Sequence, residues 1–215
     1  MISNQSLESA IRNPQSTIGS SALIYPPRSC VERLDLAVLF PVARPLEVEL
    51  GSGDGSFLAA YAQAHPEHNF LGIERLLGRL RKLDRKGQRL GLSNLKLIRL
   101  EASYVVEYLL PKESVRAFHI YFPDPWPKRR HQARRLINPR FIEAARAALE
   151  PGGRIFLRTD NTDYFAQMIE VFAGNAGYRE IQTSESLGAM LTDFERDFVA
   201  KGVAIRKAAY ERSAS

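Results

Sequence analysis

From residue 46 onward, short apolar runs rich in β-branched residues alternate with longer stretches of helical period, and no other property restricts the fold as much. The runs predict strands at 46–50, 69–73, 95–100, 117–122 and 154–158. Between them the spacing predicts helices over 55–64, 76–90, 102–110 and 139–149, with a fifth over 162–173. Strands separated by helices form a mostly parallel sheet covered on both faces, because a parallel connection has to cross the sheet and does so right-handedly. A last run, 203–209, is expected to return as an antiparallel edge strand. In such an α/β sheet, ligands bind beyond the carboxyl ends of the strands, near the point where strand order reverses.

Length and composition agree with one packed domain. The 215 residues are 45% hydrophobic and 25% charged, as in ordinary globular proteins, which argues against wholesale disorder, collagen and coiled coil. Neither an internal repeat nor a linker marks a second domain, so residues 29–215 are expected to form one unit. Residues 1–28 are polar and rich in Ser, Asn and Gln, and are read as a flexible tail. No stretch approaches 18 apolar residues, and the N-terminus lacks the charged start and apolar run of a signal peptide. Cys30 is the only cysteine, and the four histidines are scattered, so neither an intrachain disulfide nor a zinc site is expected. These features fit a reducing cytoplasm, with no metal and no membrane, and leave monomer and homodimer both open.

The net charge of +6 is unevenly placed. Residues 75–89 carry seven Lys/Arg against one acid, and residues 128–140 carry six against none. The other 187 residues hold 17 bases against 23 acids. An acidic body with two basic patches suggests a polyanionic partner met at a defined place. Arg75, Arg79, Lys82, Lys86 and Arg89 share one helix face at spacings of three or four. A solvated face and an RNA backbone contact are both open readings of it.

The first strand runs into Glu49-Leu50-Gly51-Ser52-Gly53-Asp54-Gly55, and the second ends at Glu74, nineteen residues after Gly55. Glycines there let the backbone approach a ligand, and Glu74 stands where an acid can accept from a ribose diol. The dinucleotide fingerprint needs a sixth-position glycine, which here is Ser56. A pyrophosphate is repelled by Glu49 and Asp54, whereas the sulfonium and ammonium of S-adenosylmethionine are attracted. Charge therefore favours that methyl donor over a nicotinamide dinucleotide. Glu101, ending the third strand, is either an acceptor for the adenine amino group or a solvated turn residue.

The fourth strand leads into Phe122-Pro123-Asp124-Pro125-Trp126-Pro127-Lys128-Arg129-Arg130-His131. Its prolines forbid helix and ladder, so this is a stiff loop at the carboxyl end of a central strand. It holds Asp124 near the expected position of the donor's methyl. One reading makes Trp126 a core plug and 129–135 a solvated helix face. The other has Lys128, Arg129, Arg130, Arg134 and Arg135 neutralise phosphate.

The segment FPDPWPKRRHQARRL, with the glycine turn upstream and Thr159-Asp160-Asn161 and Thr192-Asp193-Phe194-Glu195 downstream, resembles the bacterial tRNA (guanine-N7-)-methyltransferase family over about residues 45–210. The pattern F-x-D-P-W-x-K-x-R-H-x-x-R-R is specific, while the glycine turn indicates only a class I methyltransferase. The resemblance implies a Rossmann-like, seven-stranded class I fold that methylates a guanosine in the tRNA variable loop, at nucleotide 46. It implies donor contacts at Glu49, Gly51, Gly53, Gly55, Glu74, Glu101 and Asp124, with Asp124 also catalytic. It implies substrate contacts at Lys128, Asp160 and the four residues Thr192, Asp193, Phe194 and Glu195. Two positions depart from the family pattern: Glu101 replaces the usual Asp, and Phe194 replaces the usual Tyr. Structural readings stand beside these roles, Asp160 as a helix N-cap and Thr192 with Glu195 as a capping box. A non-catalytic RNA-binding scaffold is the competing reading, disfavoured because acids beside glycines serve no purpose in a lapsed site.

Overall fold

The computed structural model describes residues 23–213. In chain order the elements are α1 (Leu36–Leu39), β1 (Leu46–Leu50), α2 (Ser56–Ala64), β2 (Asn69–Ile73), α3 (Leu77–Arg89), β3 (Leu95–Ile98) and α4 (Ala102–Tyr104). A π-helical stretch (Val105–Leu109), β4 (Val115–Tyr121), a 3₁₀ helix (Arg129–Arg134), α5 (Pro139–Ala148) and β5 (Leu149–Thr159) follow. The chain continues through α6 (Thr162–Ala173), β6 (Tyr178–Ile181), α7 (Glu185–Ala189), α8 (Asp193–Ala200) and β7 (Arg206–Arg212).

The seven strands lie in the order β3-β2-β1-β4-β5-β7-β6. β1 pairs parallel with both β2 and β4, and β4 pairs parallel with β5. Strand order therefore reverses between β1 and β4, and the glycine turn and the proline loop leave the sheet side by side there. One apolar cluster joins the sheet to α5 and α6 through Phe141, Ile142, Tyr164 and Met168. A second joins the opposite face to α2 and α3 through Phe57, Leu58, Leu80 and Leu83.

Three expectations are corrected. The last strand is antiparallel as expected but is not an edge: β7 lies between β5 and β6. β6 forms the edge, and its sequence YREI puts two exposed charges in four residues, which leaves no apolar run to read. The helix expected over 102–110 is one α turn followed by the π-helical stretch. The helix expected through Leu149 stops at Ala148, where β5 begins with a bulge that carries Gly152 at φ +74°.

Residues 1–22 of the expected tail lie outside the described residues. From Leu23 the chain lies against β3: Tyr25 N–H donates to Leu97 O at 2.8 Å, and Leu97 N–H donates to Leu23 O at 2.9 Å. Leu23 fills the space left by Gly87, where a Cβ would come within 2.4 Å of it. Among the described residues no helix is long and apolar enough to cross a membrane, and no group of three or more His, Cys, Asp or Glu could hold a metal ion.

Candidate active site

The glycine turn is fastened from below. Glu74, buried at the end of β2, accepts from Gly53 N–H at 3.0 Å through one oxygen and from Leu76 N–H at 2.7 Å through the other. Gly51 has φ +80°, and a Cβ there would meet nothing within 4 Å, so its backbone faces open space. At Gly55 (φ +73°) a Cβ would come 2.1 Å from Leu83, so the turn rests directly on α3.

Two adjoining chambers open at the switch point, of about 380 and 400 Å³. Gly51, Arg79, Tyr121, Phe122, Pro123 and Asp124 line both. The first adds Glu49, Gly53, Asp54, Asp160, Thr192 and Phe194. The second adds Glu74, Glu101, Trp126 and Arg134. Asp124 thus stands on a wall common to the two.

The loop carrying Asp124 is strained and braced. Phe122 (φ +52°) and Trp126 (φ +41°) both occupy the left-handed region without being glycine, at a cost on the order of 1–3 kcal/mol each. Arg135 supplies the brace: Nε donates to Pro125 O at 2.8 Å, Nη1 donates to Gln167 at 2.6 Å, and Nη2 pairs with Asp163. Its guanidinium lies 4.8 Å over the Tyr164 ring and is buried, so Arg135 is corrected from phosphate ligand to staple between the loop and α6. Trp126 is not a core plug; it is half-buried in the chamber wall, with Arg134 5.1 Å over its ring and His131 edge-on at 5.8 Å. Lys128, Arg129 and Arg130 stand exposed around the start of the 3₁₀ helix.

Glu49 is the most perturbed acid of the site. It is buried, and one carboxylate oxygen and the nearby Ser52 hydroxyl lack a hydrogen-bond partner among the described residues. Burial holds its carboxyl well above the usual range, the neighbouring Asp54 and Glu74 raise it further, and Arg158 opposes them. An orphaned carboxylate in a chamber lined by Asp54, Asp124 and Asp160 fits a cationic ligand.

Asp160 lines the same chamber and is not a cap; Asn161 caps α6 instead, accepting from Tyr164 N–H at 2.8 Å. Glu101 does cap, accepting from Tyr104 N–H at 3.0 Å and from the Ser103 hydroxyl, while still lining the second chamber. Of the segment 192–195, Thr192 and Phe194 reach the first chamber, and Thr192 Oγ1 also caps α8 by accepting from Glu195 N–H at 3.0 Å. The Phe194 ring, half-exposed, gathers with Phe122 at 6.2 Å and Phe198 at 6.5 Å. Asp193 turns to Arg196 at 2.7 Å. Glu195 is buried away from the chamber wall, held by Arg158 Nη1 at 2.7 Å and Lys207 Nζ at 2.6 Å.

Arg158 escapes a sequence reading because it closes an apolar strand, where its only signal is a charge within a buried run. Besides Glu195 it donates to Met190 O at 2.7 Å and Leu187 O at 2.6 Å, and stacks 4.3 Å over Tyr121. It therefore ties α7 and α8 to the chamber floor. Tyr121 is set from behind by a buried chain: its hydroxyl lies 2.9 Å from His119 Nδ1, whose Nε2 lies 2.6 Å from Glu47. Glu47 in turn lies 2.6 Å from His68.

A family model described as a putative methyltransferase matches residues 43–208. A tRNA (guanine-N(7)-)-methyltransferase of Nitrosospira multiformis is 40% identical over 66% of this chain and 62% of its own length. The chain thus spans a little over three fifths of that relative. One of Geobacter metallireducens, with the same name, is 34% identical over 91% of this chain and 95% of its own length. Among solved structures, the 16S rRNA methyltransferase KamB superposes with a TM-score of 0.62 at 15% identity, covering 83% of this chain and 93% of its own. Strand order, the glycine turn at the switch point and this likeness define a class I methyltransferase fold. Within that class, the chain belongs to the tRNA (guanine-N7-)-methyltransferase family.

Proposed function

We propose that this protein transfers a methyl group from S-adenosylmethionine to N7 of a guanosine in the variable loop of tRNA, nucleotide 46, forming 7-methylguanosine. The observation that carries the reading is Asp124, held between two left-handed residues on the wall common to an acid-lined chamber and the chamber of Glu74 and Glu101. The names of the family's relatives support the choice of tRNA and of guanine N7. A tRNA substrate places the work in the cytoplasm.

S-adenosylmethionine, when bound, supplies an electrophilic methyl on a sulfonium. Glu74 is the ribose acceptor, since carboxylate oxygens engaged by one N–H each keep accepting capacity. Glu101 would meet the adenine amino group, and the orphan oxygen of Glu49 would accept from the ammonium. Gly51, Gly53 and Gly55 shape the backbone around the donor.

Guanine N7 carries an unshared pair and no proton, so the chain needs no general base to create the nucleophile. Its work is in-line positioning and stabilisation of the positive charge that develops on the imidazole ring. Asp124 lies beside that ring, Asp160 accepts from the N1 and N2 donor edge, and Phe194 offers a face for the base to stack on. Thr192 lines the base chamber, while Asp193 and Glu195 position α8 through Arg196, Arg158 and Lys207. Lys128, Arg129 and Arg130 hold backbone phosphate.

The test supplies labelled S-adenosylmethionine and unmodified tRNA, then probes chain scission specific for 7-methylguanosine. Label at one guanosine of the variable loop is expected; tRNA that takes up no label contradicts the proposal.

A further inference from the structure

We infer that α3 is a docking track for the sugar-phosphate backbone of tRNA, formed by Arg79, Lys82, Lys86 and Arg89 on the helix and by Arg75 just before it; the inference rests on the tRNA reading above. From Arg79 to Arg89 the helical part of the row is about 15 Å long at 1.5 Å per residue. Arg75, Arg79, Lys82 and Arg89 are exposed, and among the described residues none of the five has an ion-pair partner. The one acid of the helix, Asp84, is buried and turned inward, accepting from Gln88 at 2.8 Å. Asp193 of α8 acts on Lys86 but is itself held by Arg196. Like charges at such spacings repel by roughly 0.2–0.5 kcal/mol per pair, and a row of phosphates relieves that repulsion.

The row also has a direction. Arg79 lines both chambers and Arg75 the second, so the track starts at the reacting centre and leads away from it. Its register is keyed to the donor turn, because Leu83 on the buried face of α3 packs on Gly55. RNA fits this surface better than a lipid headgroup layer. A helix lying on a membrane needs an exposed apolar face, and here Leu80 and Leu83 are spent on the core.

The test uses the full chain with Lys82→Ala and Arg89→Ala together, neither of which lines a chamber. Binding of unmodified tRNA is measured across a salt series, with binding of S-adenosylhomocysteine and the melting temperature as controls. The track predicts a tRNA Kd raised about tenfold at 0.1 M salt and a slope of log K against log salt shallower by about two. S-adenosylhomocysteine affinity stays within about twofold. An unchanged Kd and slope overturn the track even when the wild type methylates tRNA. Loss of binding to phosphatidylglycerol vesicles with tRNA binding intact overturns it in favour of a membrane. Wild-type protein that binds tRNA without methylating it defeats the functional reading and leaves the comparison of slopes a full test of the track.

Discussion

Glu49 is buried under the glycine turn with an oxygen that nothing among the described residues satisfies. Its raised pKa means that the folded state keeps a proton that the unfolded chain releases. This contribution to stability is therefore fully present below the ordinary glutamate value of 4.5 and is lost as pH rises through the folded-state value. Glu49→Gln should remove this part of the fall in melting temperature between pH 5 and 8, and should weaken S-adenosylhomocysteine binding at least about tenfold, or ~1.4 kcal/mol. Calorimetry across that pH range decides it; a variant that binds normally and keeps the wild-type slope refutes the ammonium role. Glu49, Gly51, Gly53, Gly55 and Glu74 were legible in the sequence because a turn after a strand fixes their neighbours locally. The pairing of Arg158 with Glu195 was not, because it joins β5 to α8 across 37 residues.

At the scale of elements, the proline loop is the clearest case of a part whose stiffness comes from elsewhere. Three prolines announce rigidity, but the left-handed Phe122 and Trp126 need an external brace, and Arg135 provides it from the far end of the 3₁₀ helix. Arg135→Ala is expected to lower the melting temperature by roughly 5–10 °C, about 2–3 kcal/mol, because it leaves Pro125 O and Gln167 without their donor. The same variant should leave the salt slope of tRNA binding unchanged, unlike a change at Lys128. A shallower slope with unaltered melting would return Arg135 to the phosphate ligands. Sequence alone placed Arg135 among its basic neighbours because its partners, Asp163 and Gln167, lie on a helix three elements later. The central parallel strands were readable since each is a short run in which apolar residues dominate and turn signals bound it. β6 was not, since an edge strand with one buried residue carries no such signal.

Over the whole molecule, the uneven charge of the chain becomes a layout. Basic rows on α3 and on the 3₁₀ helix flank a cleft whose inner surface is acidic, so polyanion and cation are drawn to different depths of one place. Composition disclosed the two patches, and topology made them neighbours by setting the end of β1 beside the end of β4. The decisive measurement is single-turnover methyl transfer by Asp124→Ala at saturating tRNA, with S-adenosylhomocysteine affinity determined alongside. A site that works by placing a carboxylate beside the developing cation predicts a rate reduced on the order of 10²–10³-fold, with donor-product affinity changed far less. A rate near that of the wild type would contradict the account.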